Sequence, residues 1–283
     1  IRYNFKRIYL LCSYKKSKFY KLYHNKKIHN TKIICIDEGR QKGTGGALFK
    51  LKRKINKNFI LLNGDTFFNI DYEIIKNIDV TNKTLFVALT NINKSINNNI
   101  LNNLALNRQN IVYYSKSKTH MMNGGVYLIN KKIFKLVKNK TMSLEKDILN
   151  KEIKKKKVVG KYFNDDFIDI GSKKKLSSIK KNNIFLKNKA FFLDRDGVIN
   201  EDNGYIRNNK DFIFLKGVYD AIKYLNKKKY LVIILTNQAS IGKQLLTEKK
   251  LDFIHNHMKK KLFKKNKSYI DDIFYSPYYK YSK

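Results

Sequence analysis

The sequence predicts an α/β protein built as two modules. Three observations carry this reading. Apolar runs of four to eight residues alternate with longer amphipathic stretches, as strands alternate with crossover helices. Few of those runs follow one another directly, which favours mostly parallel sheets. The length of 283 residues corresponds to about two domains, long enough to bury sizeable cores without disulfides.

In chain order, buried strands are expected at Ile33 to Ile36, Phe59 to Leu62, Leu85 to Leu89, Val126 to Ile129, Val158 to Phe163, Ala190 to Leu193 and Leu231 to Leu235. Each is a short Ile, Val, Leu or Phe run. Helices are expected at Lys131 to Val137, Leu144 to Ile153, Lys173 to Ile179, Val218 to Leu225 and Glu248 to Phe263, where apolar residues recur every three or four positions. Asn91 to Asn110 is rich in Asn and lacks a usable period, so it reads as a mobile surface connection. A polar, basic stretch near Lys180 to Lys189 separates the last helix of one module from a fresh strand, which sets the modules at residues 1–183 and 188–283.

Charge sets the partner classes. Lys and Arg number 61 against 22 Asp and Glu, a formal net charge of +39. Such an excess can mark a binder of nucleic acid or of acidic membranes. Here it is almost all Lys, comes with abundant Asn, Ile, Tyr and Phe, one Pro and no Trp, and so follows the bias of an AT-rich gene. The basic residues spread from Lys6 to Lys283, with runs such as Lys154 to Lys157 placed as solvated faces, so a nucleic-acid partner is not expected. Cys12 and Cys35 are the two cysteines and have no ligand-like neighbours, which argues against a disulfide scaffold or zinc ribbon. No apolar run approaches the roughly 18 residues of a membrane span, and Ile8 to Cys12 is too short for a signal peptide. A cytoplasmic protein without a membrane partner is expected. The chain begins at Ile1 and ends in a Tyr-rich stretch after Pro277, so it reads as a fragment.

The strongest chemical signal is Phe191-Phe192-Leu193-Asp194-Arg195-Asp196-Gly197-Val198-Ile199-Asn200. An apolar strand runs into two carboxylates spaced by two, then a Gly that permits a tight exit. Convergent anions call for a divalent cation, and Mg²⁺ with phosphate is the economical choice. About forty residues later the strand ending in Thr236-Asn237-Gln238 brings a hydroxyl and two amides to the same carboxyl edge, where open α/β sheets bind ligands. Taken alone, Asp-Gly reads as a turn and Thr-Asn-Gln as a helix cap.

These segments, with Asn203-Gly204-Tyr205-Ile206, resemble the haloacid-dehalogenase superfamily. Within it they are similar to phosphatases of histidinol phosphate and of D,D-heptose 1,7-bisphosphate, over about Lys189 to Ser276. The resemblance implies that Asp194 is the nucleophile and Asp196 the acid/base. It also implies Mg²⁺ at the Asp194 carboxylate and the Asp196 carbonyl, and phosphate binding by Thr236, Asn237 and Lys243. Relatives continue into a Cys/His zinc loop where this chain has Ser276-Pro277-Tyr278-Tyr279, so no zinc is expected. They also carry a later Lys and acidic metal ligand beyond the last residue here, and show Ser-Gly-Ile-Ala-Arg in place of Ala239-Ser240-Ile241-Gly242-Lys243.

Earlier, Lys42-Gly43-Thr44-Gly45-Gly46-Ala47 precedes a helical stretch, where glycines allow close backbone approach and helix-start amides favour anions. It lacks the Walker ending. Two further strand ends carry carboxylates, Asn63-Gly64-Asp65 and Phe167-Ile168-Asp169-Ile170-Gly171, which could share one Mg²⁺ across a nucleoside triphosphate. The order of Glu38, this glycine run, Asp65-Thr66, Asn123-Gly124-Gly125, Ser143-Leu144-Glu145 and Asp169-Ile170-Gly171 resembles the sugar-phosphate nucleotidyltransferases, nearest the heptose 1-phosphate guanylyltransferase branch. That resemblance implies nucleotide contacts at Gly43, Thr44 and Gly45, sugar contacts at Gly125 and Glu145, and Mg²⁺ at Asp65 and Asp169. No counterpart of the family's glycine-rich basic loop precedes Ile33, and Ser115-Lys116 stands where a Glu-Lys pair is expected.

Together the resemblances imply a Rossmann-like mixed sheet followed by an incomplete Rossmann-like parallel sheet of the haloacid-dehalogenase type. The expected function is bifunctional, dephosphorylation of heptose bisphosphate and nucleotidyl transfer to a sugar 1-phosphate, with sugar phosphates and a nucleoside triphosphate as partners. A phosphatase of histidinol phosphate or another small ester is the enzymatic alternative, and a decayed, basic binding protein the alternative of another class. His24, His29, His120, His255 and His257 belong to no constellation in the sequence and read as surface or core residues.

Overall fold

The computed structural model describes residues 3, 5–28, 31–91, 103–117, 119–173, 176–177 and 189–279. The chain divides into two compact units, Tyr3–Lys181 and Asn182–Lys283. The boundary expected near Lys180 to Lys189 lies outside the described residues except Lys189, and so does most of the helix expected at Lys173 to Ile179.

The first unit opens with β1 (Arg7–Cys12), α1 (Lys16–Tyr23), β2 (Lys27–Ile28) and β3 (Thr31–Asp37). β3 pairs with β1 in parallel and with β2 antiparallel. β1 was not expected, and its Leu10 and Leu11 are only half-buried, so the run is short and weakly patterned. Cys12 and Cys35 are buried here as free thiols. Burial pushes the Cys12 thiol up to about 11.

There follow α2 (Gly43–Leu48), β4 (Phe59–Leu62), β5 (Thr66–Phe68), α3 (Tyr72–Lys76), β6 (Leu85–Asn91), β7 (Leu104–Leu106), β8 (Val112–Tyr114), β9 (Met121–Ile129), α4 (Asn150–Lys154), β10 (Val158–Tyr162) and β11 (Phe167–Asp169). The main sheet has the order β10-β6-β9-β7-β8, with β4 also on β9. β6 and β10 are parallel, but β9 runs antiparallel to β4, β6 and β7. The sheet is therefore mixed, and the expectation of mostly parallel pairing fails in this unit, because apolar periodicity marks a strand without giving its direction. β6 shows why the strand itself was legible: Leu85, Val87 and Leu89 enter a core with Leu48, Tyr127, Ile129 and Leu144, while Phe86 and Ala88 enter the opposite one with Phe68, Val126 and Phe167.

The expected surface connection Asn91 to Asn110 is corrected at both ends. β6 extends through Asn91, and β7 begins at Leu104, with Leu104 and Ala105 buried against the sheet. Positions 92–102 lie outside the described residues. Two expected helices are also modified. Lys131 to Val137 forms a short 3₁₀ stretch over Lys131–Lys135, and Leu144 to Ile153 opens as a wide π turn over Leu144–Leu149 before tightening into α4.

The second unit contains β12 (Ala190–Leu193), α5 (Val218–Lys227), β13 (Leu231–Asn237), α6 (Ala239–Gly242), α7 (Glu248–Asn266) and β14 (Asp272–Ser276). Its sheet is parallel throughout, in the order β12-β13-β14. Thr247 caps α7 by accepting from the Lys250 N–H. Val232 and Ile234 of β13 pack against Ile222 of α5 and Leu251, Ile254, Met258 and Leu262 of α7. Among the described residues of the whole chain, no helix is long and apolar enough to cross a membrane.

Candidate functional site

In the second unit, β12 and β13 pair with Leu193 opposite Ile234, so Asp194, just past β12, and Thr236, near the end of β13, lie at the same carboxyl edge. The turn after Asp194 folds back on itself. Arg195 O accepts from the N–H groups of Ile199 and Asn200, and Gly197 takes φ of 77°, the left-handed value that a glycine supplies freely. Asp194 Oδ1 accepts from the Arg195 N–H at 2.6 Å.

Asp196 is held more elaborately. Its Oδ1 accepts from Arg195 Nε at 3.0 Å and Nη2 at 2.8 Å, and from Asn200 Nδ2 at 2.9 Å. Its Oδ2 accepts from Arg195 Nη2 at 2.9 Å and Gln238 Nε2 at 3.0 Å. Arg195 is buried, and behind it His255 Nε2 of α7 lies 3.4 Å from Nη1. Thr236 is buried and accepts from Gln238 Nε2 at 2.9 Å. No side-chain cap bond forms at the start of α6, so the capping reading of Thr-Asn-Gln is not what the fold uses. A shallow concavity lined by Leu235, Thr236, Asn237, Phe274, Tyr275 and Ser276 opens beside these groups. Lys243, just after α6, is placed by aromatic rings: its Nζ lies 4.4 Å from the Tyr279 ring centroid and 5.3 Å from that of Tyr205. Gly242 N–H donates to Pro277 O at 2.9 Å, closing the segment that follows β14 onto α6.

Sequence reasoning placed Arg195 only as a spacer and gave His255 no role. The signal for Arg195 was present, since a cation between two carboxylates at a strand end has few neutral positions to occupy. His255 had no such signal, because its partner is 60 residues away. Burial, the adjacent Arg195 guanidinium and, less strongly, Lys259 hold His255 down to about 4, against a smaller upward pull from Asp196. A base whose folded pKa lies below its unfolded value stabilises the fold fully above about pH 6.5. That contribution is lost as pH falls toward about 4, a change of order 3 kcal/mol. His255→Gln, which keeps an acceptor for Arg195, is expected to flatten this acid loss. Urea midpoints of the second unit across that window check it, and an unchanged pH slope would refute it.

In the first unit the glycine run does not form a loop ahead of a helix; it is the helix α2. Two of its amides are already used, since Gly45 N–H donates to Met142 O at 2.9 Å and Gly46 N–H at 3.1 Å. The glycines let α2 press on the 140–144 segment: a Cβ on Gly46 would stand 2.4 Å from Lys140 O, and one on Gly43 2.6 Å from Met142 O. The anion-cradling expectation is thus corrected to close packing for these amides.

That packing delivers Thr44 to Glu145. Glu145 Oε2 accepts from Thr44 Oγ1 at 2.9 Å and Ser143 Oγ at 3.1 Å, and Oε1 from the Tyr127 hydroxyl at 3.2 Å. Asn123 Nδ2 donates to Tyr127 at 2.6 Å while its Oδ1 accepts from the Gly125 N–H at 2.9 Å. Gly125 O in turn accepts from the Asn63 N–H at 2.9 Å. Gly125, Thr44 and Glu145 therefore belong to one hydrogen-bonded group. The carboxylates of Asp65 and Asp169 meet at Gly171, where an added Cβ would lie 2.9 Å from Asp65 Oδ2 and 3.1 Å from Asp169 Oδ1. Antiparallel pairing of β5 with β11 sets Asp169 opposite Thr66 and so creates this approach. Glu38 follows β3, with its carboxyl raised by burial.

Comparison with known proteins bears on the two units separately. Residues 188–273 match the family model described as polynucleotide kinase 3 phosphatase. Over 88 residues the chain is 36% identical to the D-glycero-beta-D-manno-heptose-1,7-bisphosphate 7-phosphatase of Helicobacter pylori, which is 31% of this chain and 51% of that protein. Over 91 residues it is 38% identical to the protein of the same name from Haemophilus ducreyi, covering 32% and 50% of the two chains. The chain thus spans about half the length of the curated relatives it matches. The inositol-1-phosphate CTP transferase of T. maritima is 17% identical, with a TM-score of 0.50 over 64% of this chain and 76% of that one. That likeness shows a shared fold. The chain accordingly joins a first unit with the fold of nucleotidyltransferases to a second unit similar in sequence to the haloacid-dehalogenase phosphatases of heptose bisphosphate.

Proposed function

We propose that the second unit hydrolyses a phosphate ester of a sugar bisphosphate, of the heptose 1,7-bisphosphate class named for its relatives, and that the first transfers a nucleotidyl group to a sugar 1-phosphate. The observation that carries the reading is the meeting of two strand-end motifs, Asp194 to Asp196 and Thr236 to Gln238, joined through the bond from Gln238 to Asp196. Asp194 is the nucleophile: its oxygen bonds to phosphorus as the ester P–O bond breaks, leaving the electron pair on the sugar oxygen. Asp196 gives that oxygen a proton, then takes one from a water whose oxygen displaces Asp194 and releases phosphate. Thr236, Asn237 and Lys243 hold the phosphoryl oxygens.

In the first unit a phosphate oxygen of the sugar 1-phosphate attacks the α-phosphorus of a nucleoside triphosphate, and pyrophosphate leaves in line. Gly43, Thr44 and Gly45 border the nucleotide, while Gly125 and Glu145 orient the sugar through the hydroxyl and amide network around Tyr127. Such a site works by positioning and charge neutralisation.

The donor sets fit Mg²⁺, a hard ion commonly bound through one or two carboxylates plus substrate phosphates. Asp65 and Asp169 converge on one space at Gly171, and the Asp194 carboxylate with the Asp196 carbonyl offers oxygen donors at a strand end. Bound there, the ion would neutralise phosphate charge. Two free buried thiols suit a reducing compartment, and the cytoplasm is the site of action inferred.

The test is an assay of the chain with Mg²⁺ on a panel of sugar bisphosphates, histidinol phosphate and sugar 1-phosphates with each nucleoside triphosphate. Phosphate release from the bisphosphates and pyrophosphate release from the second mixture are expected. Release from histidinol phosphate alone would replace the substrate, and silence in both assays would overturn the function.

A further inference from the structure

Gln238 is buried at 4% exposure, and its Nε2 stands 3.0 Å from Asp196 Oδ2 and 2.9 Å from Thr236 Oγ1. A carboxamide nitrogen carries two N–H groups, so both bonds form at once. Its backbone is fixed as well, the Gln238 N–H donating to Ser276 O at 2.8 Å. Asp196 has other donors, Arg195 and Asn200, but both belong to its own turn. Those bonds orient the carboxylate relative to that turn. The bond from Gln238 orients it relative to the neighbouring strand, where Thr236 stands.

We propose that Gln238 is a positioning residue that sets the Asp196 carboxylate in register with the phosphoryl site at Thr236, and so governs proton delivery to the leaving group. This rests on the phosphatase reading of the second unit. Protonation of the departing oxygen matters when that oxygen is a poor leaving group, as in a sugar phosphate. It matters little for an aryl phosphate whose phenolate departs unaided. A lost register therefore shows as a change in leaving-group dependence, which a general loosening of the fold does not produce.

The experiment uses Gln238→Met in the full chain, which keeps side-chain length and removes both donors, with Gln238→Glu as an isosteric second variant. kcat/KM is measured with a sugar bisphosphate and with para-nitrophenyl phosphate, because it reports the step in which the leaving group departs. The expected fall is about 30- to 100-fold on the sugar ester and at least about tenfold smaller on the aryl ester. In an Asp196→Asn background the same change is expected to add less than about twofold, since its effect runs through Asp196. Equal falls on both esters, no fall on the sugar ester, or a full independent loss in the Asp196→Asn background would overturn the proposal while leaving the phosphatase reading intact. A parent chain that releases no phosphate from either ester would overturn both.

Discussion

Asp194→Asn is expected to abolish phosphate release, by at least about a thousandfold, and to leave nucleotidyl transfer as it is. The carboxamide has almost the same shape, so the turn is retained: its oxygen can still accept from the Arg195 N–H, as Asp194 Oδ1 does at 2.6 Å. What disappears is a full negative charge and a nucleophilic lone pair at the end of β12. The mirror experiment is Asp65→Asn, which removes one of the two carboxylates that meet at Gly171 and is expected to silence only pyrophosphate release. Parallel assays of both variants check the pair, and loss of both activities from either single change would contradict two independent sites.

Arg195→Met is expected to destabilise the second unit by about 3 kcal/mol. Arg195 has a side chain 1% exposed, whereas the Asp196 side chain is 24% exposed. Removing the cation strands a carboxylate that retains Asn200 and Gln238 but faces a cavity where the guanidinium lay. Partial access to water places the cost at the low end of the range for breaking a buried pair. Met approximates the length of the aliphatic stem, so most of the packing against the unit's core is kept. Urea unfolding of the variant measures the loss. The double change Arg195→Met with Asp196→Asn is expected to recover part of it, and a loss below about 1 kcal/mol in the single variant would show that the pair contributes little.

The strand ends that carry the candidate residues were more legible than the topology. Asp194, Asp196 and Thr236 stand at the ends of runs so apolar that the strand and its terminus are visible together. Leu85 to Leu89 was equally plain because it is buried on both faces. Strand direction left no trace, so the antiparallel course of β9 emerged only from pairing. β5, β7 and β11 are three residues each, too short for any period to register. β14 alternates exposed and half-buried residues in a five-residue span that ends at Ser276, and that span resembles a loop when read alone. The glycine run has a packing use that the sequence did not reveal: without Cβ atoms, Gly43, Gly45 and Gly46 let α2 approach Met142 and Lys140, and this brings Thr44 to Glu145. Gln238 sat inside a recognised motif, yet its hydrogen bond to Asp196 could be seen only once β12 and β13 were side by side.

The two cysteines give the molecule a reporter that was not put there by design. Both lie in the first unit, in β1 and β3, and the second unit has none. Alkylation of a buried thiol, one pushed up to about 11 at Cys12, must wait for β1 and β3 to part. The labelling rate therefore records opening of the first unit alone. Set beside any signal from the whole chain, it separates the breathing of one half from that of the other without cutting the polypeptide.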